Sequence, residues 1–464
     1  MLTEGASLEP TSRGASRAWL LLAAMVLAAL VLRLGVLWAV QPTLLAGDEN
    51  DYFRRALRLL ETGRMLGAGE RAPLTEIYYA ALFRVFGTLA VVARTGNALL
   101  SALTLIPVFV LGRSFGGLRS GLVAAALAAL YPNFIAFSHY LWGETLYVFL
   151  VAWALALLAL HAARPRLVLC ALAGGLLGLA ALTREVGALF PFFAAAWLYW
   201  LARAAPRKGA AHAAALLACA IAVVLPWTLH VNRQAEDFAL ITRTTGQNLY
   251  IGNVAPVEVP GQALPVAPFI HYWSLGSNRL EAEREAGRLA RQAIAERMPW
   301  WPAEKLFEQV PRFFTPTSFA VRRLLVPPDD TGPDQTWSYR FRESLPDSPG
   351  LRWLAVSVVV AAYVAVLALG VVGLVLGRRR DLVALFVVFM AAQLLPALVT
   401  FAASRFRLAS MVLLIVAAAP LLGREDNPFA SATPARRKSA LVAAAALLLL
   451  VLSRYEDALR STWG

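Results

Sequence analysis

The sequence predicts an all-α polytopic membrane protein, and two observations support that prediction. Of the 464 residues, 59% are hydrophobic and only 16% are charged, and the mean hydropathy is +0.61. A helix needs roughly 20 mostly apolar residues to cross a bilayer, and the chain contains about eleven such runs. The predicted spans are 18–40, 94–112, 120–137, 145–161, 167–183, 186–202, 210–229, 352–377, 382–401, 407–422 and 439–453.

Basic residues in the short connections between these spans predict the orientation of the chain. Cytoplasmic loops collect Lys and Arg, and here the charges fall on alternate connections. The N-terminus is therefore expected inside, with outward loops at 41–93, 138–144, 184–185, 230–351 and 402–406. The residues behind this pattern are Arg13, Arg17, Arg113, Arg119, Arg164, Arg166, Arg203, Arg207, Lys208, Arg378, Arg379, Arg380, Arg436, Arg437 and Lys438. The net charge of +14 then indicates contact with anionic membrane lipids and no nucleic-acid partner.

The first outward loop, 41–93, is long enough to carry helices of its own. Apolar residues recur at helical spacing over 51–60, and an aromatic-rich helix is predicted at 77–83. Both helices are expected to lie in the membrane interface. The residues predicted to face away from the apolar side of the first helix are Arg54, Arg55 and Arg58.

The second long outward segment contains one clear helical stretch, at 278–298, and is expected to form a small external subdomain. This organisation predicts three units along the chain. They are an N-terminal transmembrane catalytic module at 1–229, the external subdomain at 230–351, and C-terminal transmembrane helices at 352–464.

Carboxylates cluster directly after the first span, at Asp48, Glu49 and Asp51, and Glu144 begins the fourth span from another outward loop. Because both loops lie on the same predicted face, their carboxylates can converge. A carboxylate at a membrane edge can accept the proton of a hydroxyl or amine as that group attacks a sugar anomeric carbon. The alternative is that Asp48 and Glu144 only cap the N-termini of helices.

Arginines occupy the same outer edge, where the orientation rule does not expect them. Their forked donors match phosphate oxygens, so the group predicts a phosphate-binding site. Arg33, inside the first span, is a functional candidate because a charge within the membrane is costly. The alternative for each arginine singly is contact with lipid headgroups. The edge arginines are Arg54, Arg55, Arg71, Arg184 and Arg405.

Several of these motifs, taken in order, resemble the protein O-mannosyltransferase superfamily of C-type glycosyltransferases, which includes the lipid A aminoarabinose transferases. The resemblance covers roughly 18–420. It implies a polyprenyl-phosphate sugar donor, an inverting transfer on the outer face, and interfacial helices in the first loop. The matching motifs are Asp48-Glu49-xx-Tyr52, Arg71-x-Pro73-Leu74, Tyr78-Tyr79, Arg94, Tyr131-Pro132, Glu144-Thr145, Leu182-Thr183-Arg184-Glu185, Asn248-Leu249-Tyr250-Ile251-Gly252-Asn253 and Arg405-Phe406-Arg407.

The same resemblance implies roles for single residues. Asp48 stands at the position of the catalytic base, Glu49 is its acidic neighbour, and Glu144 matches the acid of the second external loop. Arg71 stands where many relatives hold the donor phosphate with a Lys. Together with the arginines of the outer edge, this predicts the following substrate-binding residues: Tyr52, Arg54, Arg55, Arg71, Tyr78, His139, Arg184, Arg405 and Arg407.

The predicted function is transfer of a sugar from a polyprenyl-phosphate donor to a protein, lipid or glycan of the cell envelope. An alternative is an enzyme like the oligosaccharyltransferases with a lipid diphosphate donor, for which a Trp-Trp-Asp motif is expected, whereas Trp300-Trp301 precedes Pro302. Another is a transporter or flippase for lipid-linked sugars, which would place its charges at the bilayer midplane. The expected location is a bacterial cytoplasmic (inner) membrane, with the active site on the periplasmic face.

The sequence establishes no cofactor. Asp48, Asp51, Glu144 and His139 could supply ligands to a divalent cation, although paired His or Cys spacing is missing there. Arginine alone can hold a monophosphate. The two cysteines, Cys170 and Cys219, lie in apolar runs and are interpreted as small buried hydrophobic residues.

Overall fold

A computed structural model describes residues 12–40, 47–67, 69–233, 238–257, 266–316, 349–423 and 427–453. Over these ranges the fold is helical, with one isolated antiparallel bridge between Val257 and Val266. Seven helical segments there are long and apolar enough to cross a membrane, and two shorter apolar helical segments, 167–183 and 185–201, accompany them. The predicted all-α polytopic fold is confirmed.

The N-terminal part begins with helix α1, Ser12–Val40, and contains helices α2, Asp48–Thr62, and α3, Leu74–Phe86. Both predicted helices of the first loop are therefore present. Arg55 was wrongly expected on the exposed side of α2, since it is only 4% exposed. It is buried because it bonds Asp51, the Leu66 carbonyl and Glu70, which together satisfy its guanidinium.

Helices α4, Ala90–Leu103, and α5, Leu105–Leu130, cover the second predicted span, 94–112, except for residue 104, and residues 120–130 of the third predicted span. The backbone of α5 leaves the helical region at Gly116 and Gly117, where Gly117 has φ of +89°. A Cβ added at Gly112 would lie 2.9 Å from the Ala124 Cβ. A straight helix would separate those residues by about 18 Å, so the chain reverses at the glycine pair and forms a helical hairpin.

The remaining helices form the bundle, the segment 238–316 that was predicted to be external and is called the external segment below, and the C-terminal part. Those of the bundle are α6, Pro132–Phe137; α7, Glu144–Ala163; α8, Leu167–Thr183; α9, Phe190–Leu201; and α10, Pro206–Asn232. Those of the external segment are α11, Thr245–Asn253; α12, Pro268–His271; α13, Arg279–Glu296; and α14, Trp301–Phe313. The C-terminal ones are α15, Pro349–Leu376; α16, Arg380–Val399; α17, Leu408–Ala418; α18, Pro428–Ser431; and α19, Pro434–Leu452.

The external segment contains more helix than the sequence predicts. The stretch at 278–298 appears as α13, whose N-terminus is capped by the Asn278 side chain. The additional α11 is nine residues long and includes two glycines, while α14 includes Pro302 and Pro311. These residues have low helix propensity, which hides both helices from a pattern-based prediction.

Helix α17 occupies the centre of the bundle, because every one of its residues is buried. It packs against α15, α5 and α7. A short 3-10 turn, Ser404–Arg407, leads into α17 and carries Arg405. The central helix therefore fixes the position of this arginine relative to the first residues of α2 and α7.

Candidate active site

Asp48, the first residue of α2, binds two arginines that are distant in sequence. Its Oδ1 accepts a hydrogen bond of 2.6 Å from Arg71 Nη2, and its Oδ2 accepts one of 2.9 Å from Arg405 Nη1. Arg405 lies 357 residues further along the chain. The carboxylate of Asp48 is about a quarter exposed, so it stays open to a substrate. The start of α2, the turn before α3 and the segment before α17 thus meet at this carboxylate.

The two guanidiniums control the ionisation of Asp48. Burial raises the pKa of this carboxyl, but attraction to Arg71 and Arg405 and their hydrogen bonds lower it by more. The net pKa lies well below the usual range for an aspartate. Asp48 is therefore ionised at neutral pH, and it is a weak proton acceptor while both arginines remain attached.

Glu144, the first residue of α7, forms the second acid of the cluster and is 4% exposed. Its Oε1 accepts a hydrogen bond from Arg184 Nη1, and Arg405 Nε lies 3.8 Å from the same oxygen. Arg184 directly follows α8. The carboxylates at the starts of α2 and α7 are thus joined through Arg405.

Arg71 also binds a second acid, since its Nε lies 2.9 Å from Asp51 Oδ2. The other oxygen of Asp51 accepts a hydrogen bond of 2.8 Å from Arg55. Arg55 in turn binds Glu70 in the turn before α3. Arg55 therefore ties α2 to this turn, whereas Arg71 faces the cluster.

Aromatic rings support the three guanidiniums of the cluster. Arg71 lies 5.1 Å from the centre of the Tyr52 ring, and Arg405 lies 5.0 Å from that of Trp142. The Phe406 ring lies 5.0 Å from Arg184. Cation–π contacts of this kind contribute roughly 0.5–2 kcal/mol and restrict the planar groups. Burial raises the pKa of Tyr52, so its hydroxyl remains a neutral donor beside the acids.

Glu49 and His139 hold the loop between α6 and α7 through contacts with groups other than Asp48. Glu49 is 1% exposed, and its Oε1 accepts hydrogen bonds of 3.0 Å from the Leu141 amide and 3.4 Å from Arg94. His139 Nε2 lies 2.9 Å from the Arg33 carbonyl oxygen. Burial, with the nearby positive charges, lowers the pKa of His139 to about 4, although that hydrogen bond acts in the opposite direction.

Three of the residues implied by the resemblance lie outside the cluster. Arg54 is exposed on the outer side of α2. The Tyr78 hydroxyl packs close to Gly96 of α4. Arg407 is 2% exposed and lies 4.2 Å from the centre of the Tyr363 ring, within the helix packing. These positions give them supporting or surface contacts in this structure.

Glu76 in the first turn of α3 is an ionisable neighbour that sequence reasoning missed. It is 2% exposed, and its Oε2 has no hydrogen-bond partner among the described residues. Burial raises its pKa to about 7, while attraction to Arg55 acts in the opposite direction. An acid in the first turn of a helix is ordinary, so the sequence carried no signal of its burial.

The external segment supports the arginine-bearing turn before α17. Gln309 of α14 accepts a hydrogen bond of 2.7 Å from the Ala402 amide. Lys305 of the same helix donates to the Gly252 carbonyl and, at 3.3 Å, to the Thr400 carbonyl. Lys305 and Gln309 are fully buried. Helix α14 therefore fixes the backbone just before Arg405, a role that the sequence did not indicate.

The residues considered for a divalent cation have other partners. Asp48, Asp51 and Glu144 bind arginines, and His139 contacts the Arg33 carbonyl. Within the described part of the chain, these four side chains do not form a group with the mutual distances of a metal site. The cluster instead balances acids against guanidiniums, an arrangement suited to exchange carboxylates for an incoming phosphate.

Comparison with known proteins identifies the fold. Residues 70–230 match the family model for dolichyl-phosphate-mannose-protein mannosyltransferase. The archaeal oligosaccharyltransferase AglB from Archaeoglobus fulgidus, in complex with an inhibitory peptide and a dolichol-phosphate, aligns with a TM-score of 0.54 and 15% identity over 97% of this chain and 56% of that chain. The apo form of the A. fulgidus enzyme gives a TM-score of 0.53 and 14% identity over 94% and 55%.

A further similar structure is ArnT from Cupriavidus metallidurans bound to undecaprenyl phosphate, with a TM-score of 0.42 and 15% identity over 88% of this chain and 79% of that chain. No curated protein matches the chain significantly. The chain spans about half the length of the archaeal oligosaccharyltransferase. At these identities the likeness concerns the fold, and it agrees with the family match. The chain therefore shares its fold with the archaeal oligosaccharyltransferase, and its residues 70–230 match the mannosyltransferase family model.

Proposed function

We propose that this protein transfers a sugar from a polyprenyl-phosphate donor to a hydroxyl or amine of a cell-envelope acceptor, with inversion, on the outer face of the membrane. The observation that carries this proposal is the position of Asp48 between Arg71 and Arg405, at 2.6 and 2.9 Å. A proton acceptor and phosphate-binding groups thus lie within contact of each other. A single displacement at an anomeric carbon needs a proton acceptor for the attacking group and cationic groups for the departing phosphate.

The arginines would act on the leaving group. A sugar joined to polyprenyl phosphate is a phosphodiester with one negative charge, and the departing polyprenyl phosphate is a monoester that carries more. Negative charge therefore grows on the phosphate oxygens as the bond to the sugar breaks. Guanidiniums of Arg71, Arg184 and Arg405 stabilise that charge more strongly in the transition state than in the bound donor, which is the condition for catalysis.

Donor binding would also activate Asp48. A phosphate that takes hydrogen bonds from Arg71 and Arg405 draws both guanidiniums away from the carboxylate. The pKa of Asp48 then rises from its depressed value, and the carboxylate becomes a better proton acceptor. In the reaction the acceptor oxygen or nitrogen bonds to the anomeric carbon, its proton passes to Asp48, and the electron pair of the broken bond stays on the phosphate.

Glu144 would position Arg405, the guanidinium that contacts Asp48 in this structure and would contact the donor phosphate. Its carboxylate binds Arg184 and lies 3.8 Å from Arg405, so it keeps two guanidiniums at the site when the donor displaces Asp48 from Arg405. Tyr52, below Arg71, gives the same kind of support on the opposite side. These contacts preorganise the phosphate site.

The name of the matched family supports a monophosphate donor and a protein acceptor for this chain. The lipid diphosphate donor and the flippase are the competing functions. The full-length protein, purified in detergent, should release polyprenyl phosphate from a polyprenyl-phosphate hexose or pentose when cell-envelope extract is present. Mass spectrometry of envelope glycans and glycoproteins, with and without the gene, should then identify the transferred sugar and its carrier.

The two competing functions predict different results when the purified protein is assayed with other donors or in proteoliposomes. Consumption of a polyprenyl-diphosphate oligosaccharide alone would indicate an enzyme like the oligosaccharyltransferases. Movement of an intact donor across proteoliposomes without release of polyprenyl phosphate would indicate a flippase. Either outcome would contradict the proposal.

A further inference from the structure

A second group of reactive side chains lies far from the charged cluster, where α7, α8 and α10 approach one another. It consists of His161, Cys170 and His212, one from each helix, and their ligand atoms all lie within 4.8 Å of one another. The chain contains only 5 histidines and 2 cysteines, so three of its seven strongest transition-metal ligands meet at one point. From the sequence alone, Cys170 was interpreted as a small buried hydrophobic residue.

The geometry of this group suits a small cation. Cys170 Sγ lies 3.2 Å from His161 Nδ1, and the rings of His161 and His212 pack edge to face with centres 4.6 Å apart. In a tetrahedral zinc site, metal–sulfur and metal–nitrogen bonds of about 2.3 and 2.0–2.1 Å place ligand atoms roughly 3.3–3.6 Å apart. Small side-chain rotations therefore bring the three atoms to bonding distance of a common centre.

His161 has a partner that would orient it as a ligand. Its Nδ1 lies 3.1 Å from the Arg166 carbonyl oxygen and 3.2 Å from the Arg166 amide nitrogen. A proton on Nδ1 is donated to that carbonyl and leaves Nε2 as the ligand atom, the usual second contact of a metal-bound histidine. With the proton on Nε2, Nδ1 accepts a hydrogen bond from the Arg166 amide while it lies 3.2 Å from Cys170 Sγ, and a metal ion would compete with that amide for the lone pair.

We propose that His161, Cys170 and His212 form a binding site for a borderline-soft divalent transition metal such as Zn²⁺. Two imidazoles and one thiolate select zinc-like ions over Mg²⁺ or Ca²⁺, which prefer oxygen ligands. The thiol of Cys170 gives its proton to solvent when the sulfur coordinates. His161 and Cys170 are buried, whereas His212 is partly exposed on α10.

The site is separate from the candidate active site. Glu144 and His161 stand 17 positions apart at opposite ends of α7, which corresponds to about 26 Å along the helix. A metal there would join the ends of α7, α8 and α10 without contact with Asp48. An experiment on metal binding at this site therefore tests the metal proposal separately from the proposed transferase function.

The test uses the full-length protein in detergent, without a polyhistidine tag and after treatment with a chelator. Titration with Zn²⁺ and elemental analysis should show one tightly bound ion per chain. Titration with Co²⁺ should give a thiolate-to-cobalt charge-transfer band in the near ultraviolet. Cys170→Ala and His212→Ala should each weaken Zn²⁺ binding at least tenfold, and Cys170→Ala should remove the band. Cys219→Ser and His230→Ala, both on α10, are the matched controls and should bind as the wild type does.

Thermal unfolding supplies a second readout that does not depend on activity. An ion bound only to the folded state stabilises it, so saturating Zn²⁺ should raise the Tm of the wild type and of Cys219→Ser, but not that of Cys170→Ala. Size-exclusion chromatography identifies any variant that fails to fold. The proposal is overturned if the wild type binds no Zn²⁺, or if binding and the cobalt band survive in Cys170→Ala.

Discussion

Arg405 contacts the two acids that begin α2 and α7: its Nη1 lies 2.9 Å from Asp48 Oδ2, and its Nε lies 3.8 Å from Glu144 Oε1. One guanidinium therefore holds the carboxylates at the starts of two separate helices in a fixed relation. Because a phosphate oxygen competes for the same donors, Arg405 also couples binding of a phosphate donor to the state of Asp48.

Removal of a cluster arginine should weaken use of the donor. Arg71→Ala and Arg405→Ala are each expected to raise the apparent KM for the polyprenyl-phosphate sugar about tenfold or more, since a charged hydrogen bond contributes roughly 1.5–3 kcal/mol. Lysine at either position should restore part of the loss, because it keeps the charge but not the fork. Steady-state kinetics on the purified protein measures both effects.

Arg58→Ala is the matched control, since Arg58 is exposed on α2 and has the same side chain. Its donor kinetics should equal those of the wild type. Unchanged donor kinetics in both Arg71→Ala and Arg405→Ala would mean that these arginines serve lipid headgroups or structure only.

Replacement of Asp48 separates catalysis from helix capping. Asn keeps the size of the side chain and caps a helix about as well as Asp, so Asp48→Asn should fold normally. Loss of a general base typically costs 10²–10⁴-fold in rate, and the turnover number should fall by that much. Turnover assays and thermal unfolding, run together, check the two statements.

Asp381→Asn serves as the control, because Asp381 also forms an ion pair with an arginine, at 2.6 Å, but at the start of α16. It should keep wild-type turnover. An Asp48→Asn protein that retains more than about a tenth of the rate would restrict Asp48 to a structural role, and the base would then be sought at Glu49 or Glu144.

Local patterns predicted most of the fold. The helices at 51–60 and 278–298 depend on spacing within a few residues, and the structure contains both. Of the eleven predicted spans, 120–137 is divided between two helices, and seven described segments are long and apolar enough to cross a membrane. The outward orientation of the loops also led to the expectation that Asp48 and Glu144 approach each other, and both contact Arg405.

The features that the sequence did not predict depend on contacts between residues that are distant in sequence. Arg55 and Arg407 have the same side chain as Arg71, but Arg55 is satisfied by the turn before α3 and Arg407 packs on Tyr363. The support of the Arg405 turn by α14 rests on a hydrogen bond between Gln309 and the Ala402 amide. Such tertiary contacts leave no pattern in the spacing of residues along the chain, so they could not be predicted from the sequence.

The orientation of the chain can be tested by cysteine labelling. In a Cys219→Ser background, Asn50→Cys and Arg380→Cys place exposed thiols at the start of α2 and of α16. Alternation of the basic connections predicts that an impermeant maleimide labels position 50 in intact cells, and position 380 only after permeabilisation. Labelling of position 380 from outside would invert the topology and, with it, the proposed face of the active site.

Glu76 predicts a pH dependence of stability. Its folded-state pKa is about 7, raised by burial from an ordinary value of 4.5. A raised pKa means that the folded state favours the protonated form, so the stability is complete below about pH 4.5 and is lost as the pH rises through 7. The difference of roughly 2.5 pKa units corresponds to about 3 kcal/mol.

Glu76→Gln keeps the shape of the side chain and removes the titration. The wild type should therefore lose thermal stability between pH 5 and pH 8 relative to Glu76→Gln, and the variant should be the more stable protein at pH 8. Glu61→Gln, on the exposed end of α2, is the control and should follow the wild type. If the Tm values of the wild type and Glu76→Gln change in the same way between pH 5 and pH 8, Glu76 is ionised and solvated in the folded protein. The conclusion that burial raises its pKa would then be wrong.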